Sequence, residues 1–221
     1  HTAVNGLFSQ FEKTRVLVVG DLMLDEFIWG QVNRISPEAP VPVVWTQTES
    51  IMPGGAANVA NNIRALGGHA IVAGVIGDDR WGQILTAELT ALGIETHGVV
   101  TSDRPTTVKT RVIAHHQQVV RVDREDRSPL AATLINQLSR RVRAQLESVD
   151  AVVIEDYGKG TITRALLKRL IPEARALKKK VIVDPKDEHF DLYQGVTALT
   201  PNRMEAAGAV GRELEKDADI E

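Results

Sequence analysis

Apolar residues along the chain alternate between two patterns. Short continuous runs, Arg15 to Val19, Ile71 to Ile76, Ala151 to Ile154, Val181 to Val183 and Ala198-Leu199, read as buried strands. Between them apolar residues recur at helical spacing, at Val59, Ile63 and Leu66 and again at Leu85, Leu89 and Leu92. Leu130, Leu134, Leu138, Val142 and Leu146 form a third stripe, with Ser128-Pro129 as its cap and first-turn proline. Thr161 to Lys178 reads as mostly helix, and Asn202 opens a last one. Strands that alternate with amphipathic helices predict an α/β fold, a mostly parallel sheet covered by helices on both faces.

Two segments break that alternation. Phe27 to Trp29 and Val41 to Trp45 read as short strands around a polar loop, and Pro40 and Pro42 confine the second to an edge. Val108 to Ile113 and Val119 to Asp123 read as a hairpin around His115 to Gln118. Together they predict a small β flap, or lid, from segments 26–48 and 106–124, inserted in a single domain over residues 1–221.

Composition narrows the function classes. A net charge of −3 gives no nucleic-acid footprint. The absence of cysteine removes disulfides and thiolate metal sites and is compatible with a reducing compartment. No apolar run approaches the roughly 20 residues that span a bilayer, and His1 to Lys13 lacks a signal-peptide pattern. The expectation is a cytoplasmic protein with neither membrane nor nucleic-acid partners.

Ligands of an open α/β sheet bind outside the carboxyl ends of its strands. The polar sets that follow the predicted strands are Gly20-Asp21 with Asp25, Asp78-Asp79, Glu155 to Gly160, Asp184-Pro185-Lys186, and Thr200-Pro201-Asn202 with Glu205. Singly, each reads as a turn former or helix cap, and Asn202 with Glu205 has capping-box spacing. Five in succession along one edge point to a ligand site. Gly54-Gly55 directly precedes a helix, so a ligand can approach the backbone without Cβ interference and meet the free N–H groups of the first turn, where Asn58 adds a donor and an acceptor. A glycine turn before a packed helix accounts for that motif equally well when it is taken alone. Lys109, Arg111, Arg121 and Arg124 are either a solvated strand edge or a positive lid over an anionic substrate. The six histidines lack metal-ligand spacing, and both the Gly-x-Ser-x-Gly elbow and the Gly-x4-Gly-Lys-Ser/Thr loop are absent.

With these residues in place, the chain resembles the ribokinase-like family of carbohydrate kinases. The resemblance rests on Gly20 through Asp25, Gly54-Gly55 with Asn58, the Gly77-Asp78-Asp79 turn and Asn202 with Glu205, in family order. Within that family, the strings Asn33 to Val44, Asp156 to Gly160 and Val183 to Lys186 are similar to the members that phosphorylate D-glycero-D-manno-heptose 7-phosphate at its 1-hydroxyl, a step toward the heptose of lipopolysaccharide. The resemblance implies ATP and Mg²⁺ as cofactors. It gives Asp25, Gly54, Gly55, Asn58 and Asp156 to sugar hydroxyls, and Lys159, with Lys109 and Arg121 of the lid, to the anionic substrate. Lys186, Asn202 and Glu205 fall to the nucleotide phosphates, Glu205 also to the metal, and the lid strands to a homodimer. The family's catalytic base, an Asp in a Gly-Ala-Gly-Asp motif, has no counterpart before Glu221. The expectation is a kinase domain truncated at its C-terminus and inactive alone. The alternatives are another sugar or sugar-phosphate kinase and a non-catalytic sugar-phosphate-binding module.

Overall fold

The computed structural model describes residues 10–214. Its main sheet contains β1 (Arg15–Gly20), β4 (His69–Gly77), β5 (Glu95–Ser102), β8 (Ala151–Glu155), β9 (Lys180–Asp184) and β10 (Ala198–Leu199). They lie in the order β10-β9-β8-β1-β4-β5, and every pairing is parallel. The helices are α1 (Ala56–Ala65), α2 (Arg80–Ala91), α3 (Ala132–Leu146), α4 (Arg164–Ala176) and α5 (Arg203–Val210), with a 3₁₀ turn at Asp187–Leu192.

Strand alternation divides the interior into two cores. Leu17, Val19, Ile71 and Ala73 pack with Leu138 and Val142 of α3 and with Leu166 and Leu170 of α4. Val16, Val18, Ala70 and Val72 pack on the other face with Ala57 and Ala60 of α1 and Leu85 and Leu89 of α2. The central strand is thus buried on both sides, which is why its sequence is an unbroken apolar run. Each fully buried Leu or Ile contributes roughly 1.5–3 kcal/mol. All the parallel strands therefore end at one rim, with helices packed on each side of it.

A second sheet rises from that rim. It holds β2 (Leu22–Ile35), β3 (Pro42–Gly55), β6 (Thr107–Ala114) and β7 (Gln117–Arg124) in the order β3-β2-β6-β7. β2 pairs antiparallel with β3 and parallel with β6, while β6 and β7 form the expected hairpin. The hairpin turn is narrower than the sequence predicts. His115 and His116 alone make it, at φ 50° and 64°, the paired positive values of a two-residue turn that follows strand twist. β3 lies at the sheet edge, as its prolines require.

Four elements depart from the sequence reading. β2 and β3 each run for 14 residues rather than three to five. Phe27 to Trp29 lies inside β2 and the Val41 to Trp45 run covers the outer end of β3; beyond them Gln31, Arg34, Thr46 and Glu49 sit on a solvated ribbon that no apolar run marks. β5 was not predicted, because Thr96, His97 and Gly98 interrupt its apolar pattern. Finally, α3 begins at Ala132, not at Ser128-Pro129. Asp126 Oδ1 instead accepts the Ser128 backbone N–H at 2.7 Å, closing a local turn before the helix.

Candidate functional site

Asp21 organises the rim. It follows β1 directly, is 1% exposed, and its carboxylate accepts three backbone N–H groups from the loop after β8. These are Tyr157 and Lys159 on Oδ2, at 2.9 and 3.0 Å, and Thr161 on Oδ1 at 3.0 Å. Burial pushes its carboxyl up, and the hydrogen bonds from Lys159 and Thr161 oppose that rise. Its own carbonyl accepts the Ala56 N–H at 3.1 Å, which fixes the start of α1. One residue therefore ties both candidate ligand loops to the central strand. Sequence reasoning placed Asp21 at the rim but assigned it no role, since a loop 136 to 140 residues away leaves no local signal.

The glycine pair meets Asp25 here. Asp25 pairs with Met52 across β2 and β3, which brings its carboxylate over Gly54. A Cβ on Gly54 would lie 2.6 Å from Oδ2 of Asp25, and one on Gly55 would lie 2.6 Å from the carbonyl oxygen of Asp21. Gly55 also sits at φ 54°, a conformation that favours glycine. Arg111 Nη1, opposite Phe27 on β6, reaches Oδ1 of Asp25 at 2.5 Å. Asn58 is exposed in the first turn of α1.

The cations of the lid divide into paired and unpaired. Arg111 is held by Asp25, and Arg121 lies bidentate on Asp123 at 2.8 and 3.0 Å. Lys109 is different. Its ammonium lies 5.6 Å from the Tyr157 ring centroid, and no carboxylate among the described residues stands at ion-pair distance. Burial first, then the neighbouring Lys159, pull its pKa below the ordinary lysine value. Lys159 is paired with Glu125 at 2.5 Å.

Asp156 is turned inward. Its Oδ2 accepts the Tyr193 hydroxyl at 2.7 Å and meets His189 Nδ1 at 2.5 Å, while Oδ1 accepts the Gly158 N–H at 2.9 Å. The expectation that Asp156 holds sugar hydroxyls meets a buried carboxylate whose Oδ2 is taken by Tyr193 and His189, while Oδ1 accepts only the Gly158 N–H and keeps acceptor capacity.

Acids collect at the β8–β9 end of the rim. Glu155 and Asp184 are register partners, and burial together with the Asp184 charge pushes Glu155 up to about 8. Tyr157 is raised to about 12 by burial and by Glu155, Asp184, Asp25 and Glu205. The Lys186 side chain packs across Gly158, with Cγ 3.7 Å from where its Cβ would be. Asn202 and Glu205 form a full capping box on α5: Asn202 Oδ1 accepts the Glu205 N–H at 3.0 Å, and Glu205 Oε2 accepts the Asn202 N–H at 2.8 Å. Among the described residues no three His, Cys, Asp or Glu side chains converge as a metal cage. Magnesium at a phosphoryl-transfer site does not need one, because one or two carboxylates and the nucleotide phosphates hold it. Half-buried Glu205 is one carboxylate at this end of the rim, with Oε2 accepting the Asn202 N–H of the cap.

Known proteins resemble this chain in sequence and in fold. A sequence model described as the pfkB family of carbohydrate kinases matches residues 13–221. The bifunctional protein HldE of Desulfatibacillum aliphaticivorans is 45% identical over 96% of the chain and 44% of its own length. Its namesake from Wolinella succinogenes is 43% identical over 97% of the chain and 45% of its length. The chain thus spans less than half the length of these curated relatives. Among solved structures, phosphofructokinase-2 from Escherichia coli in complex with substrates and products superposes with a TM-score of 0.74 at 22% identity, over 94% of this chain and 66% of that one. A carbohydrate kinase from Agrobacterium tumefaciens gives 0.66 at 20% identity, over 90% and 64%. At such identities the likeness establishes the ribokinase-like α/β fold. Among the described residues no helix is long and apolar enough to cross a membrane.

Proposed function

The chain belongs to the pfkB family of carbohydrate kinases, and from that premise we propose that it is the sugar-binding part of an ATP-dependent kinase acting on the 1-hydroxyl of D-glycero-D-manno-heptose 7-phosphate, in the cytoplasmic synthesis of lipopolysaccharide heptose. The observation that carries this reading is one juxtaposition. A carboxylate suited to hydroxyls, Asp25 above Gly54, shares the rim with two adjoining lysines, Lys109 and Lys159, suited to a phosphate. A neutral sugar has no use for the second feature.

In this reading Asp25 accepts two sugar hydroxyls, and the Gly54-Gly55 backbone lets the ring approach α1, where Asn58 adds a further contact. Lys109 and Lys159 receive the 7-phosphate as point charges. Arg121, neutralised by Asp123, shapes the field rather than binding directly. Lys186 and the Asn202–Glu205 pair face the nucleotide phosphates, and Glu205 takes the Mg²⁺. ATP supplies the γ-phosphoryl group, whose transfer depends mainly on positioning and charge stabilisation. The Gly-Ala-Gly-Asp base has no counterpart in residues 1–221, so these residues alone bind sugar phosphate without turning it over. The lid strands join two copies in a homodimer.

The decisive experiment is a coupled ADP-release assay on the full-length protein with heptose 7-phosphate, fructose 6-phosphate and ribose. The reading requires kcat/KM to favour the heptose phosphate by at least tenfold. Preference for fructose 6-phosphate would assign another sugar-phosphate kinase. Binding without turnover in the full-length protein would assign a binding module.

A further inference from the structure

We infer that Glu125 is a built-in stand-in for the substrate's phosphate: it holds Lys159 until a phosphate monoester displaces it. The inference rests on the reading of the rim as a sugar-phosphate site. Glu125 is the first residue after β7, at the foot of the lid, and Lys159 belongs to the loop held by Asp21. Their ion pair, 2.5 Å long, leaves the side chains only 12% and 13% exposed. Burial opposes ionisation of Glu125, yet hydrogen bonds from Lys159 and Arg127 more than offset it and keep the carboxyl below its usual range.

Three features distinguish a replaceable partner from a plain brace. Lys159 adjoins Lys109, whose neighbouring acids Asp25 and Asp123 are each already paired with an arginine, so two ammonium groups share one corner and Glu125 pairs with only one of them. A dianionic phosphate matches that pair better than a single carboxylate does, with three oxygens to share between them. Second, Glu125 has somewhere to go. Arg127 Nε donates to its Oε1 at 2.5 Å, so the carboxylate keeps a charged partner after Lys159 leaves. The exchange strands no buried charge, which would otherwise oppose it strongly. Third, Arg104 stands behind Lys159. Its Nη2 donates to the Lys159 carbonyl at 3.2 Å, and its buried Nε has no hydrogen-bond partner, only Asp126 at 3.7 Å. A further donor is therefore directed at the same corner.

Because Glu125 sits at the lid's foot, its release from Lys159 also removes one tie between the lid and the 157–161 loop and leaves the Lys109–Tyr157 contact as another. A non-phosphorylated sugar leaves the pair closed. Glu125 thus acts as a specificity-determining residue for phosphorylated over neutral sugars.

The test is calorimetric titration of the full chain with inorganic phosphate and, separately, with heptose 7-phosphate, in wild type, Glu125→Gln, Arg127→Gln and Lys159→Met. Glu125→Gln removes the competitor, so inorganic phosphate binds about tenfold tighter, the worth of one charge-assisted contact. Arg127→Gln removes the fallback partner and weakens phosphate binding. In Lys159→Met the gain from Glu125→Gln disappears. Opposite signs for the first two variants are not expected of a structural brace, whose loss weakens binding of both ligands and lowers the melting temperature. Equal or weaker phosphate binding in Glu125→Gln overturns the inference. If phosphate behaves as stated but heptose 7-phosphate binds no variant, the stand-in holds and the proposed substrate fails. If heptose 7-phosphate binds wild type while Glu125→Gln gains nothing, the substrate holds and the stand-in fails.

Discussion

Oδ2 of Asp25 occupies the space that a side chain on Gly54 would need, 2.6 Å from its Cβ position. The glycine and the acid are therefore one device, although 29 positions separate them. Gly54→Ala should push the Asp25 carboxylate off Arg111 and away from the cleft. Displacements of about 1 Å at a positioning group cost on the order of 10²-fold. In the full-length kinase kcat/KM for the sugar phosphate should fall by about that factor while an ATP analogue binds unchanged. Steady-state kinetics beside calorimetry checks it, and unaltered kinetics in a folded variant would separate Gly54 from the site.

Asp25→Ala tests the same device from its other side. A charged hydrogen bond contributes roughly 1.5–3 kcal/mol, and the unpaired Arg111 adds a further defect. Sugar-phosphate binding should weaken about 10²-fold or more, again with nucleotide affinity retained. Had Asp25 only capped a turn, stability would drop and the kinetics of the folded fraction would persist.

The contrast between these residues and Asp21 shows what a sequence reveals. Gly54-Gly55 before α1, Asn202 with Glu205 and the apolar runs of β1 and β4 are local signals, set by backbone conformation, capping and burial on two faces. The parallel sheet, the helices on both faces and the lid were legible from them. β5, the outer half of β2 and the part of β3 after Trp45 were not, because a solvated or interrupted strand has no apolar run. The inward turn of Asp156 onto His189 and Tyr193, and the grip of Asp21 on residues 157 to 161, depend on contacts across 33 to 140 positions. Such partners leave no spacing to read.

Asp21→Ala would leave three loop N–H groups without their acceptor. Each orphaned buried donor costs about 1–3 kcal/mol, so a loss of roughly 3–5 kcal/mol follows, at the severe end for one substitution. Denaturant unfolding measures it. Fluorescence of Tyr157 should also report a loosened loop. A loss below about 1 kcal/mol would mean that water replaces the carboxylate.

Glu155 makes stability depend on pH. Its folded pKa is raised to about 8 from 4.5, by burial first and by Asp184 second. Between those values the unfolded chain has released a proton that the folded chain still holds. The contribution is therefore fully present below about pH 4.5 and is lost as pH rises to about 8. Glu155→Gln should remove this slope, gaining roughly 2 kcal/mol at pH 8 relative to wild type once solvent screening is allowed for. Urea unfolding of both proteins at pH 5 and pH 8 checks it, and parallel pH profiles would show that Glu155 ionises freely.

The lid makes the last prediction. Trp45 is 67% exposed on β3 and Trp29 is 40% exposed on β2. Both stand on 14-residue strands, and β3 is an edge with unpaired backbone groups. Large apolar side chains on such an edge are an aggregation hazard unless another chain covers them. In the proposed homodimer a second copy of the lid supplies that cover. A charge at position 45 would then be buried unpaired at the interface, which costs several kcal/mol. Sedimentation velocity at tens of micromolar should find the wild type dimeric and Trp45→Glu largely monomeric, with the two melting curves of the monomeric unit alike. A monomeric wild type at that concentration would leave the lid's tryptophans to some other cover and remove the dimer from the proposal.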